Sequence, residues 1–159
     1  MLDEQAKKTL LRKIPHGLYI CGVKGDELNG FTASWVMQSS FKPPMLVNCV
    51  QQNSGSHAAI EQSGVFAISF LESGQQEIAS KFFKPQRVVG DKLADVDYTL
   101  GEETGCPILS DALGYVECKV VGSLKQGDHT VFLGEVVSAK IHREGNPLLL
   151  ESTGWQYGG

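Results

Sequence analysis

The 159-residue chain lacks most of the features that announce a particular chemistry. No run reaches the ~18 consecutive apolar residues that a membrane-spanning helix needs, so no membrane partner is expected. No apolar leader opens it either. Met1 is followed by Leu2-Asp3-Glu4-Gln5, and the expected compartment is the cytoplasm. A basic stripe is missing: 14 basic and 18 acidic residues give a formal charge of −4. The densest basic cluster, Lys7-Lys8 with Arg12-Lys13, suits the wet face of a helix, and nucleic acid is not an expected partner. The four cysteines form no CxxC pair and fit no zinc spacing. Cys21, Cys49 and Cys118 sit among apolar neighbours and read as reduced core residues. His16, His57, His129 and His142 give neither HExxH nor an i, i+4 pair. GxGxxG, GxxxxGK[ST] and GxSxG are all absent, which removes the signatures of a Rossmann domain, a phosphate-cradling loop and a serine nucleophile elbow.

What remains is the composition of a globular protein, 42% hydrophobic and 20% charged. One domain of this length buries roughly 70% of its unfolded surface without needing a disulfide or a metal. Leu2, Ala6 and Leu10 share one face of an expected helix that Pro15 ends. Gly17–Val23 reads as a strand, and Tyr19–Val36 as a hairpin around the polar turn 24–30. Met45–Val50 is a further strand. Asn53-Ser54 caps a helix to about Gln62, stopped by Gly64. Val65–Phe70 is extended. Ser73 and Gln76 have capping-box spacing for a helix through about Phe83, and 85–98 reads as a mobile loop. Val116, Cys118 and Val120 alternate with polar residues. After Gln126-Gly127-Asp128, Val131, Leu133, Val137, Ala139 and Ile141 recur on odd positions. That predicts a long antiparallel hairpin and, with the other strands, a mainly β barrel or α+β domain with short helices. The segment 147–159, ending Trp155-Gln156-Tyr157-Gly158-Gly159, is either docked or a partner contact.

Two stretches stand out as candidate sites. Residues 29–44 interleave Thr32, Ser34, Gln38, Ser39 and Ser40 with Phe31, Trp35 and Phe41, a mixture that suits a polar heteroaromatic ligand or a phosphate. Asn53-Ser54-Gly55-Ser56-His57 lies at a predicted helix start, where free amides and the helix dipole favour an anion. Asp128-His129 is the one adjacent acid–imidazole pair. Neighbouring strand residues point to opposite faces, so the pair is not expected to form a dyad. His129 is then either an exposed turn histidine or a pocket residue.

Taken in order, these segments resemble the flavin reductase-like family, the FMN-binding split barrel. The resemblance runs through Leu11–Tyr19, Asn29–Val36, Gln38–Pro44, Asn53–His57, Ser63–Ile68, Asp91–Ala94, Cys106–Leu109, Ala112–Cys118 and Gly127–Val136. It spans roughly residues 7–150 and is similar to the reductase domains associated with rubredoxin or flavodiiron proteins. It implies a single antiparallel split-barrel domain over 1–159, one FMN (or FAD) per subunit, a homodimer, and NADH or NADPH as electron source. It also implies a redox partner, whether rubredoxin-like, flavodiiron or a monooxygenase component. Under it, Thr32, Ala33, Ser34 and Trp35 run along the flavin edge. Gln38, Ser39 and Ser40 approach the ribityl chain and phosphate, and Ser54, Ser56 and His57 complete the phosphate site. His129 lies by the nicotinamide as the catalytic residue. Lys84 and Arg87 belong to the segment that closes over the cofactor, although Lys84–Gly90 departs from the commoner Gly-rich form. The implied activity is an FMN-dependent NAD(P)H oxidoreductase that reduces flavin. The alternative is a non-enzymatic flavin- or haem-binding split barrel. Trp155 and Tyr157 match no family role.

Overall fold

A computed structural model describes all 159 residues. Asp3 caps the first helix, α1 (Glu4–Leu11), by accepting from the Ala6 amide at 2.9 Å. The apolar face predicted for α1 has no partner within the chain, and the helix buries no residue. β1 (Tyr19–Lys24) and β2 (Leu28–Ala33) form the expected hairpin, with Gly22 opposite Gly30. Its second strand stops at Ala33 rather than Val36. Ser34 and Trp35 lead the chain away, and β3 (Val36–Ser40) pairs instead with β4 (Met45–Gln51). The helix α2 (Gly55–Ser63) starts at Ser54 and ends at Gly64, whose φ of +69° is the left-handed cap that glycine adopts at least cost.

After β5 (Val65–Phe70), the helix α3 (Gln76–Lys81) is shorter than the spacing predicts. Ser73 and Gln76 do not form the capping box. Gln75 is the cap residue, and its side-chain oxygen is taken by the Glu72 amide at 2.8 Å. The stretch expected to be a mobile loop contains β6 (Gln86–Val89) and β7 (Lys92–Leu93), an added edge ribbon, and leads into β8 (Tyr98–Leu100). β9 (Pro107–Leu109) pairs with β8 alone. β10 (Gly114–Gln126) and β11 (His129–Ile141) are the long hairpin, 13 residues each. A short helix, α4 (Leu150–Thr153), precedes the last residues.

The main sheet runs β3-β4-β11-β10-β5-β1-β2-β6-β7, with every named pair antiparallel. Its order dictates its shape. β2 and β3 have five strands between them in the sheet, yet only Ser34 and Trp35 join them. A two-residue link reaches under about 11 Å, so the sheet must curl until those strands are neighbours. No strand ladder joins them: the Cys49 amide of β4 donates to the Trp35 carbonyl at 3.0 Å, while the Thr32 amide of β2 is taken by Phe82 O, just after α3, at 3.0 Å. The result is an antiparallel barrel split at Ser34-Trp35.

Its interior is one apolar cluster containing Cys21, Ile60, Phe66, Ile68, Cys118 and Phe132. The inward residues of β11 are Thr130, Phe132 and Gly134; Val131 and Leu133, on the odd positions, are half-buried on the outer face. Gly134 has no room for a side chain, since a Cβ there would lie 2.7 Å from the Phe66 ring. A second cluster, including Leu18, Ile20, Leu71, Phe82 and Leu93, fills the space under α3 and β7. All four cysteines are free; Cys21 and Cys118 are buried in the core, whereas Cys49, also expected there, is half-buried at the cavity described below. Burial pushes the Cys118 thiol up to about 12 and that of Cys106 to about 11, so neither is a nucleophile.

Candidate functional site

The split in the barrel opens into a cavity of about 500 Å³. Three pieces of backbone frame it. The β2 end and the link that follows supply Thr32, Ala33, Ser34 and Trp35. The end of β4 supplies Val50 and Gln51, and the start of α2 supplies Ser54 and Ser56. These are the two stretches singled out from the sequence, brought together by the curl of the sheet. Phe31, Phe83, Pro85 and Trp155 add apolar walls.

The polar groups divide into those that build the wall and those left for a ligand. Thr32 is fully engaged in structure: its hydroxyl donates to Ala79 O at 2.6 Å and its amide to Phe82 O. Ser56 donates to Asn29 Oδ1 at 3.0 Å, which ties the start of α2 to β2. Ser54 Oγ accepts the His57 amide at 3.1 Å and donates to Gln51 O at 2.9 Å. The Gly55 and Ser56 amides belong to the first turn of α2, whose N–H groups have no partner within the helix. Ser34 lines the cavity, and its hydroxyl takes part in none of the chain's own hydrogen bonds. An apolar lining, a serine hydroxyl and the start of α2 in one cavity suit a heteroaromatic group with an anionic tail.

Six expected cofactor-binding residues lie outside the cavity lining. Gln38 and Ser39 are exposed on the edge strand β3, and Gln38 turns its amide to Ser40 O at 3.2 Å. Ser40 lies beyond them on that strand, half-buried and outside the cavity. Pairing with β4 carries this run along the sheet edge, away from the cavity. His57 is 5% exposed, inside the barrel; its Nε2 meets Thr130 Oγ1 at 2.7 Å and its ring packs on Phe132. It supports α2 from below and does not line the cavity. Arg87 reaches Glu27 at 3.4 Å from the added ribbon. Lys84 is exposed between the lining residues Phe83 and Pro85.

His129 borders an adjoining hollow of about 550 Å³ with His16 and Asp128. Contrary to the alternation argument, Asp128 does reach its neighbour: Oδ1 is 2.6 Å from Nδ1. Asp128 belongs to the turn, where Gly127 has φ +73°, and strand alternation does not govern it. The bond from His129 holds the Asp128 carboxyl below its usual range. With Nδ1–H given to a carboxylate, Nε2 is the acceptor of the neutral ring. The Tyr157 hydroxyl stands 3.1 Å from that nitrogen. Trp35 packs against His129 at 4.6 Å between ring centroids, and Trp35 and Tyr157 line both the cavity and the hollow. Burial lowers the pKa of His16, partly countered by a backbone hydrogen bond at Ser34.

Gln51, Phe83, Trp155 and Tyr157 line the cavity without having been expected from the sequence. Only the aromatic pair in a polar tail gave any signal.

Residues 11–158 match the flavin reductase like domain. The chain is 37% identical over 138 residues to an NADH-dependent FAD reductase of Streptomyces globisporus, covering 86% of this chain and 76% of the relative. It is 39% identical over 148 residues to the reductase component of a Rhodococcus opacus 4-nitrophenol 4-monooxygenase/4-nitrocatechol 2-monooxygenase, covering 92% and 77%. Among solved structures, the NADH:FAD oxidoreductase of Streptomyces globisporus C-1027, in complex with NAD and FAD fragments, superposes with a TM-score of 0.78. That match has 34% identity and covers 91% of this chain and 89% of the other.

Proposed function

The chain belongs to the flavin reductase-like family and is an NAD(P)H-dependent flavin reductase, and from that premise we propose that the cavity at the barrel split holds FMN. The observation that carries the reading is the convergence of Thr32–Trp35 and Ser54–Ser56 on one slot. A single helix start at one end suits a monophosphate tail, which favours FMN over FAD. Bound there, flavin would supply the two-electron acceptor for a nicotinamide hydride.

The chain's own residues bind, orient and exclude water. Ser34 would hold the ring edge through its hydroxyl, and the first-turn amides of Gly55 and Ser56 would hold the phosphate. Thr32, Ser56 and His57 hold these donors in place through Ala79, Asn29 and Thr130. Lys84, beside Phe83 and Pro85, adds a positive charge at the rim; Arg87, Gln38, Ser39 and Ser40 have no place in this reading. His129, oriented by Asp128, is the residue proposed to meet the nicotinamide, with its acceptor nitrogen toward the hollow. Positioning of two flat rings accounts for the rate, and no acid–base pair is required at the reacting atoms.

The same reading makes the protein a homodimer. The outer face of the β10–β11 hairpin exposes Val121 and Leu124 beside half-buried Val131 and Leu133, an apolar surface suited to a second copy. Its electron acceptor is a monooxygenase component or another redox protein, and four free thiols support the cytoplasm as its compartment.

The test is an anaerobic titration of the protein with FMN and FAD, followed by NADH or NADPH. FMN binding more tightly than FAD, with its absorbance bleached by one equivalent of NADH or NADPH, is the expected result. Flavin that binds without bleaching would make the protein a carrier, and absence of flavin binding would end the proposal.

A further inference from the structure

The segment after α4 is held in two unequal ways. Trp155 is anchored: its ring packs edge-on against Phe83 at 4.8 Å, and its amide donates to Thr153 Oγ1 at 3.0 Å. From Gln156 onward every residue is exposed and lies outside any helix or strand. Few contacts lay this part across the site. Arg12 donates from Nε to Gly158 O at 3.0 Å and from Nη1 to Gln156 Oε1 at 2.5 Å. Tyr157 packs on Trp35 at 5.1 Å and meets His129 Nε2 at 3.1 Å. Burial, with the Asp128 charge beside it, raises the Tyr157 phenol above its ordinary value, so it donates as a neutral hydroxyl.

Two features make this arrangement reversible. Gly154 and Gly158, at φ +75° and +94°, bracket the segment with backbone that has no Cβ to restrict it. Arg12 extends from the end of α1, a helix that buries nothing, so its hold rests on exposed hydrogen bonds alone. The arrangement also has a consequence. Asp128 takes Nδ1 of His129 and Tyr157 takes Nε2, so the protein itself occupies both ring nitrogens. The phenol stands between the cavity and the hollow, bordering both.

Building on the flavin reductase reading of the cavity, we propose that Gln156–Gly159 is a displaceable strap: Tyr157 stands where the nicotinamide ring must lie, and Arg12 latches it there. Nicotinamide then binds only the molecules whose strap is open, and its apparent affinity is reduced by that open fraction. Tyr157 becomes an affinity-setting residue, and Arg12 acts through it from outside both the cavity and the hollow.

The experiment saturates the protein with FMN, followed by its fluorescence, and then titrates NAD⁺ and NADP⁺, which bind without reducing the flavin. Tyr157→Ala is expected to tighten the better-bound nucleotide roughly five- to tenfold, and Arg12→Ala roughly two- to threefold. The double variant is expected to match Tyr157→Ala alone, because both changes open one element. Tyr157→Phe, which keeps the ring and loses the bond to His129, gives a smaller gain and serves if the alanine variant misfolds. Unchanged or weaker nucleotide binding in Tyr157→Ala with FMN still bound overturns the strap and leaves the flavin site standing. No gain in Arg12→Ala overturns the latch. Failure of the unaltered protein to bind FMN overturns the reading of the cavity, and the strap with it.

Discussion

The wall behind the cavity and the segments laid across its mouth are built in opposite ways. In the wall, Cys21, Ile60, Phe66, Ile68, Cys118 and Phe132 are at most 1% exposed. Most of its polar groups are paired internally, His57 with Thr130 and Ser56 with Asn29, and Asn48 Oδ1 is a buried atom left without a partner. In the cover, α1 and residues 156–159 bury no residue and rest on exposed contacts of Arg12 and Tyr157. The difference separates two requirements. Holding a flat ring within a fraction of an ångström needs elements locked by packing, whereas admitting and releasing substrates needs elements of low local stability.

The contrast fixes the order of mutational effects. Phe132→Ala, in the centre of the wall, is expected to cost about 3–5 kcal/mol by denaturant titration, the range for a large cavity in a close-packed core. A loss under about 1 kcal/mol would show the barrel interior to be loosely packed. Thr130→Val leaves His57 Nε2 without its partner inside the barrel, and the expected loss is about 1–3 kcal/mol. FMN affinity should fall too, because His57 supports α2 from within. Ser54→Ala removes the cap of α2 at about 1 kcal/mol and weakens FMN more than it lowers stability, since that helix start faces the cavity. Leu10→Ser in the cover should change stability by less than about 0.5 kcal/mol in the isolated subunit. A larger loss would mean that the apolar face of α1 packs against the rest of the subunit after all.

Protonation sharpens the comparison at the smallest scale. His16, at the border between wall and cover, has a pKa lowered chiefly by burial. Below the unfolded value, near 6.5, the unfolded chain binds the proton more readily than the native one does. Stability therefore falls as pH drops from about 6.5 towards the lowered native value, and His16→Gln should flatten that part of the profile. An unchanged slope between pH 7.5 and 5.5 would show that another group sets it.

The two halves of the site differ also in how much of them the sequence discloses. Thr32–Trp35 and Ser54–Ser56 are legible because small polar residues at a strand end and a helix start are local signals. The long hairpin is legible from its alternation. The failures come where position depends on distant contacts. Gln38, Ser39 and Ser40 carry suitable groups, but an edge strand's path is set by its pairing with β4, which leaves them outside the slot. His57 looks like a helix-start donor and is instead drawn inside by Thr130, 73 residues away. Tyr157 sits in a polar tail with no periodicity. Its place follows from Arg12, whose bond to Gly158 spans 146 residues. Asp128 reaches His129 because it belongs to a turn, where strand alternation does not hold.

The central claim is that the stretch at the barrel split and the start of α2 hold one flavin between them. Backbone amide resonances recorded before and after addition of FMN test it most directly. The account predicts the largest shifts at Ala33, Ser34, Trp35, Gly55 and Ser56, with Gln38, Ser39 and Arg87 unmoved. Shifts confined to β3 and the β6–β7 ribbon, with the helix start silent, would contradict it.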